Sequence, residues 1–270
     1  MDLGLGNAHV VINGGSKGMG RAAALCFAAD GARVAVLART QAALDETVAA
    51  MTAAGSPDAL GISTDLTNDD SVRAAFEQIG QRWGHVNTLV NAAGPTEVGI
   101  ANFDDTDDQQ WLATFDIGTL SAIRCVRWGL PLMRKADWAR IVNVSAHSTK
   151  RQASEIIAYT ASKAALTSVS KNLSLSLARD GILVNTVSPG SFLSPGMVDY
   201  LARQPAERNI DPTSLTDAMR VMTEDFDAAA HLPRAGDPAE IGPVIAFVGS
   251  RINTYMTGAN INVDGGSDFC

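Results

Sequence analysis

A short apolar run, His9-Val10-Val11-Ile12-Asn13, leads directly into Gly14-Gly15-Ser16-Lys17-Gly18-Met19-Gly20 and then into an Ala-rich stretch at 21–29. A buried strand, a glycine turn and a helix in immediate succession leave the chain few ways to fold. The turn brings the helix's first N–H groups and its positive dipole end to one point, beside the strand's carboxyl end, and that geometry binds a phosphate. The spacing is G-x-x-x-G-x-G rather than the G-x-G-x-x-G of the commonest dinucleotide fingerprint, so the strand before and the helix after carry the assignment. Asp30-Gly31 supplies the helix stop.

The remainder alternates in the same way. Strands are expected at 33–38, 60–63, 86–90, 140–144, 183–187 and 261–263, with helices at 41–54, 70–82, 108–133, from the Tyr159 segment to 179, and at 237–250. Residues 70–82 place Val72, Ala75, Phe76 and Ile79 on one face. The pattern predicts one α/β domain over residues 1–270: a Rossmann-type doubly wound parallel sheet of about seven strands, with ligands gathering at the strands' carboxyl ends. Residues 191–233 break the alternation. They hold short helical runs at 196–202 and 212–226, seven acidic and three basic side chains, and too many residues for a plain connection. A helical substrate lid is predicted there.

With 270 residues, 46% of them hydrophobic, the chain can fill one large core. A net charge of −8 argues against nucleic acid and against anionic membrane surfaces as partners. No apolar stretch reaches the length of a membrane span, and residues 1–7 lack the basic start of a signal peptide. Cys26, Cys125 and Cys270 are widely scattered, without metal-ligand spacing, which fits a reducing cytoplasm and no metal site.

Two further features carry chemistry. Tyr159 and Lys163 stand four apart, so a helix puts them on one face; a nearby ammonium favours the phenolate and lowers a tyrosine's proton affinity. Such a tyrosine could exchange a proton with a substrate oxygen. At the end of the 33–38 strand, an acidic residue would bond the 2′-hydroxyl of NAD(H), whereas Ala38 and Arg39 stand there, with Lys17 available in the glycine turn. Two cations and no carboxylate favour the 2′-phosphate of NADP(H).

Taken together, Asn13-Gly14-x-x-x-Gly18-x-Gly20, Asp65-Leu66, Asn91-Ala92-Ala93-Gly94, Tyr159-x-x-x-Lys163, Ser188-Pro189-Gly190 and the ending Thr257-Gly258 through Val263-Asp264-Gly265-Gly266 resemble the short-chain dehydrogenase/reductase family over residues 8–266. The likeness is greatest to members similar to 3-oxoacyl carrier-protein reductases. The resemblance implies a role for each position. Gly14, Ser16, Lys17, Gly18, Met19 and Gly20 would wrap the pyrophosphate and adenosine ribose, and Lys17 and Arg39 would hold the 2′-phosphate. Asp65 and Leu66 would meet the adenine, and Asn91, Ala92, Ala93 and Gly94 would back the cofactor's middle. Lys163 would bond the nicotinamide ribose and lower the proton affinity of Tyr159, while Pro189, Gly190 and Phe192 would border the carboxamide. A small-molecule carbonyl or alcohol substrate and a homotetramer or homodimer are implied as well.

Two positions depart from the family pattern. Thirteen residues before the tyrosine, where the family has a catalytic serine, stands Ala146; after Asp116-Ile117, where it has an asparagine, stands Gly118. Ser148 is the expected substitute donor, because an offset of two from Ala146 keeps its facing in an extended chain; Ser145 and His147 should face the other way. The two departures also favour an alternative, a nucleotide-binding sensor or scaffold with little turnover.

Overall fold

The computed structural model describes residues 2–95 and 101–267, so Cys270 lies outside the described residues. Strands β1 (His9–Asn13), β2 (Arg33–Ala38), β3 (Ala59–Ser63), β4 (Thr88–Asn91), β5 (Ala139–Val144), β6 (Ile182–Pro189) and β7 (Asn260–Val263) form one sheet. Its order is β3-β2-β1-β4-β5-β6-β7 and every pairing is parallel. The chain winds outward from β1 to β3, then returns to β4 on the other side of β1. That reversal opens a crevice at the carboxyl ends of β1 and β4, where ligands of open α/β sheets bind.

The connecting helices are α1 (Gly18–Ala29), α2 (Gln41–Ala54), α3 (Asp69–Trp83), α4 (Asp108–Phe115), α5 (Ser121–Met133), α6 (Ile157–Leu177), α7 (Pro195–Ala202), α8 (Leu215–Phe226) and α9 (Pro238–Val248). Their ends follow from local chemistry. The Asn68 side chain accepts the Ser71 N–H at 3.0 Å to start α3, and capping boxes Asp107–Gln110 and Asp237–Glu240 start α4 and α9. Gly55, at φ 117°, ends α2 in the left-handed region that favours glycine.

Alternate side chains of the buried strands feed two cores, one on each face of the sheet. Val10, Ile12, Val34 and Val36 pack with Phe27, Ile241 and Ile245, while Val11, Ala35 and Leu37 pack with Phe76, Ile79 and Cys125. The stretch from 191 to 233 is helical, as expected, and carries a small core of its own: Leu201 of α7 against Ala218, Met219 and Val221 of α8. Arg208 ties that excursion together, pairing with Glu224 at 2.6 Å and Asp225 at 2.9 Å.

The single helix expected at 108–133 is interrupted by a π turn, Asp116–Leu120. Its cause is a close approach to α6. A Cβ on Gly118 would lie 2.9 Å from Ser162 Cβ, and the Thr119 hydroxyl donates to the Ser162 carbonyl at 2.7 Å. The π turn therefore fits only a residue without a side chain at 118.

At the opposite end of the sheet from the crevice, His9 is buried in a cluster of charged and aromatic groups. Its ring stacks on Trp83 at 5.0 Å and packs against His85 at 4.3 Å. Its Nδ1 lies 3.1 Å from the His85 carbonyl, and its Nε2 takes a hydrogen bond from Arg33 at 3.3 Å. Beside it, Asp58 accepts from the Trp83 indole and a fork from Arg82, each at 2.8 Å. Burial first, then the neighbouring His85, pushes the His9 imidazole down from 6.5 to about 4. Between those values the unfolded chain takes up a proton that the folded chain refuses. Stability contributed above pH 6.5 should thus decline by about 3 kcal/mol as pH falls toward 4. Urea unfolding at pH 7, 5.5 and 4 measures this. His9→Asn should show a shallower acid decline than the wild type, and identical pH dependence in the two proteins would contradict the assignment.

Candidate active site

The first turn is pressed against the end of β4. Gly14, at φ +67°, has no room for a side chain, since a Cβ would sit 2.6 Å from the Ala93 nitrogen; a Cβ on Gly20 would run into the Gly14 carbonyl. Glycine at both positions is the condition for the turn to reach the crevice without obstructing it.

A ladder of buried amides spans the crevice. Asn13, Asn91 and Asn143 occupy one register row across β1, β4 and β5. Asn13 Nδ2 donates to Asn91 Oδ1 at 2.5 Å, Asn91 Nδ2 to Asn143 Oδ1 at 2.6 Å, and Asn143 Nδ2 to the Ser170 hydroxyl of α6 at 2.7 Å. Asn13 Oδ1 accepts the Ala92 and Ala93 N–H groups at 2.9 and 3.0 Å. The ladder thus sets the path of Ala92, Ala93 and Gly94 as they leave β4. Sequence reading assigns a site role to Asn91 and names Asn13 only as the start of the glycine motif; the part Asn13 and Asn143 play in the ladder appears only through strand register.

Tyr159 and Lys163 lie in the first two turns of α6, as their spacing requires. Lys163 is buried behind Gly94, where a Cβ would stand 3.4 Å from the ammonium, and its Nζ donates to the Val144 carbonyl at 2.9 Å. Burial brings Lys163 down to about 8 and pushes the Tyr159 phenol up to about 12. The expected lowering of Tyr159 by Lys163 is therefore not what the protein's own groups produce. Desolvation outweighs the neighbouring charge, and Lys163 spends a hydrogen bond on β5.

Tyr159 forms part of the wall of a cavity of about 230 Å³, together with Met19, Ser148, Pro189, Gly190 and Phe192 among the expected site residues. Ala146 is extended, at φ −157° and ψ 148°, and its methyl reaches the same wall. Beyond it the strand alternation ends, because His147–Thr149 turn into a 3₁₀ helix. Ser148 thus reaches the cavity through that turn rather than through extended chain. His147, expected to face away, lines the cavity too, with Nδ1 3.2 Å from the Pro189 carbonyl. Ser145 does face away: its hydroxyl donates to the Lys163 carbonyl at 3.1 Å and pairs with Thr167 at 2.8 Å. The Ser148 oxygen accepts from the Thr160 hydroxyl at 3.3 Å, which leaves its own hydrogen for another acceptor.

The remaining expected positions follow the carboxyl ends of β1, β2 and β3, away from this cavity. Lys17 and Arg39 are exposed. The Ser16 carbonyl accepts from Thr47 at 3.3 Å. Asp65 Oδ1 takes the Thr67 hydroxyl at 2.6 Å and its N–H at 2.9 Å, which holds the carboxyl below its usual range. Leu66 is buried, and its carbonyl accepts from Arg124 at 3.1 Å. Arg151 and Ser191, both on the cavity wall, escaped sequence reading. Arg151 meets main-chain carbonyls far along the chain, which no local pattern announces.

Comparison with known proteins agrees with this architecture. A family model described as enoyl-(acyl carrier protein) reductase matches residues 14–268. The chain is similar to the short-chain dehydrogenase fogB of Aspergillus ruber, at 33% identity over 99% of this chain and 98% of the relative. It is similar also to the uncharacterized oxidoreductase YvrD of Bacillus subtilis, at 30% identity over 98% of each. Among solved structures, L-sorbose reductase from Gluconobacter frateurii, complexed with NADPH and L-sorbose, superposes with a TM-score of 0.89 at 26% identity, covering 99% of this chain and 98% of that one.

The amide ladder can be tested without reference to catalysis. Asn13→Leu would strip the Ala93 N–H and the Asn91 Oδ1 of their partner and leave the Ala92 N–H only the Asn13 main-chain carbonyl at 3.1 Å, at a cost of about 1–3 kcal/mol for each group left unpaired. Denaturant unfolding should show a loss of at least ~2 kcal/mol, whereas a loss under ~0.5 kcal/mol would mean that the ladder contributes nothing to stability.

Proposed function

The chain belongs to the short-chain dehydrogenase/reductase family, and we propose that it interconverts a carbonyl and an alcohol on a small molecule with NADP(H) as its hydride carrier. The observation that carries this reading is Tyr159 on the cavity wall, with Lys163 one helical turn further on. The first turn fits a dinucleotide: glycines stand where a Cβ would collide, and a helix N-terminus opens beside them.

When bound, the nicotinamide supplies the hydride chemistry. Tyr159 donates a hydrogen bond to the substrate oxygen and gives up its proton as negative charge builds there. Burial keeps the phenol protonated through the neutral range, the state that carbonyl reduction needs. The Lys163 ammonium stabilises the phenolate left behind and bonds the nicotinamide ribose. Ser148 donates to the same substrate oxygen in place of the hydroxyl missing at Ala146. Gly14, Ser16, Gly18, Met19 and Gly20 wrap the pyrophosphate and adenosine ribose, and Lys17 and Arg39 take the 2′-phosphate. Asp65 and Leu66 meet the adenine, Asn91 to Gly94 back the cofactor's middle, and Pro189, Gly190 and Phe192 border the carboxamide. The preference for NADP(H) is supported by the two exposed cations at the β1 and β2 ends and by Ala38 in place of a carboxylate.

Ala146 favours a second reading, a nucleotide-binding sensor or scaffold with little turnover, since one lost oxyanion donor costs about 10²–10³ in rate. NADPH consumption with a panel of ketones and diketones separates the two. A cytoplasmic homotetramer or homodimer completes the proposal. Leu112 on α4 and Leu175 on α6 are 72% and 69% exposed, which supports an interface along those helices.

Three outcomes test the reading. Tyr159→Phe should lower turnover by at least ~100-fold and leave cofactor affinity within about twofold; wild-type turnover in this variant would remove Tyr159 from the mechanism. Fluorescence titration should show NADPH binding more tightly than NADH by about tenfold or more, with Arg39→Asp reversing the order, because a charge-assisted bond is worth about 1.5–3 kcal/mol. Equal wild-type affinities would contradict the assignment. Carbonyl reduction should decline above pH about 8, where Lys163 loses its charge, and a flat rate profile from pH 7 to 9.5 would deny that charge a role.

A further inference from the structure

Most polar groups of the cavity wall are already engaged with the protein itself. Among the described residues, Arg151 is the only arginine or lysine on that wall. Its guanidinium donates to the carbonyls of Asp227 at 2.5 Å, Ala229 at 2.8 Å and Ser267 at 3.2 Å, and stands 3.8 Å from the Asp227 carboxylate. It fastens the end of α8 to the loop before α6 and is spent in doing so. Tyr200 turns its hydroxyl to Asp225 at 3.0 Å and leaves its ring to the cavity. Met197, Met222 and Phe226 continue an apolar surface around it. Ser191 differs. The residue is 8% exposed and belongs to the wall, and its hydroxyl is buried beneath it without a protein partner.

A buried hydroxyl with no partner is costly, and a ligand atom that pairs with it recovers that cost. A carboxylate or phosphate entering this cavity would lose its hydration without gaining a free cation. It would also approach a helical excursion carrying seven acidic and three basic side chains. A polyol would set several hydroxyls against methionine and phenyl groups. We propose that the cavity binds an uncharged, mainly apolar carbonyl compound carrying one further oxygen, and that Ser191 is the specificity residue that pairs with that oxygen. The carbonyl in this statement rests on the reductase reading, but the binding preference does not.

The test therefore measures binding and turnover separately, both with NADPH, whose reduced ring is uncharged: binding on Tyr159→Phe protein and turnover on protein that keeps Tyr159. Three probes share one ring system: 1-tetralone, 2-hydroxy-1-tetralone, and 1-tetralone bearing a ring carboxylate. The two neutral probes should bind, the hydroxylated one about threefold or more tightly, as one added hydrogen bond predicts. The carboxylate should bind at least about tenfold more weakly than 1-tetralone. Ser191→Ala should bring the ratio between the neutral probes to about one, and Ser191→Thr should restore it. Binding of the carboxylate as tight as that of 1-tetralone, no binding of any probe, or an unchanged ratio in Ser191→Ala would each overturn the proposal. Neutral probes that bind with the expected ratios but never consume NADPH would support the proposal and overturn the reductase reading instead.

Discussion

Two chain segments approach each other here more closely than side chains allow, and the rest of the site depends on that contact. The turn after β1 rests on the backbone leaving β4, with Gly14 against Ala93. The N–H groups exposed by that approach are satisfied by the Asn13 amide, which accepts from both Ala92 and Ala93. The remaining capacity of the same amide runs through Asn91 and Asn143 to Ser170 on α6. One connected set of buried hydrogen bonds thus joins the glycine turn after β1 to the helix that bears Tyr159 and Lys163. A fully satisfied buried network of this kind rigidifies, and a partly satisfied one is costly. The distance between the two halves of the site is accordingly set by the sheet rather than by loops.

Much of this was legible in the sequence, for identifiable reasons. Strand and helix alternation is a local pattern, and the seven parallel strands follow from it. The glycine turn and the Tyr159–Lys163 spacing are also local, and both emerge at the crevice. What stayed hidden depends on contacts between distant segments. The π turn at Asp116–Leu120 exists because Ser162 lies against Gly118. The inward placement of Ser148 and His147 depends on a 3₁₀ turn, whereas strand alternation would have sent them to opposite faces. Asn143, Arg151 and Ser191 bear no sequence signature, since their meaning lies in register, in remote carbonyls and in an unmet hydroxyl.

The direction of the Tyr159 shift changes how the pair is understood. A lysine four residues on invites the expectation of a weakened phenol, yet burial raises it and lowers Lys163. The shifts move the two groups apart, so that the phenol keeps its proton while the ammonium is the group that titrates nearer neutral pH. In this reading the helix stores a protonated donor beside an ammonium that can lose its charge near neutral pH. The methyl of Ala146 stands where the family has a hydroxyl, and in the proposed reaction Tyr159 and Ser148 on the same wall would polarise the carbonyl. A mainly apolar cavity suits that arrangement, because each remaining hydrogen bond gains strength away from water.

Transfer of the cofactor's own hydrogen tests the central claim most directly. NADPH carrying deuterium at C4 of the nicotinamide is incubated with the protein and 2-hydroxy-1-tetralone or a diketone, and the product is examined by mass spectrometry. The account predicts one deuterium on the carbon that becomes an alcohol, in wild-type protein but not in Tyr159→Phe. Deuterium that remains on the cofactor throughout, with the carbonyl compound bound and unchanged, would contradict it.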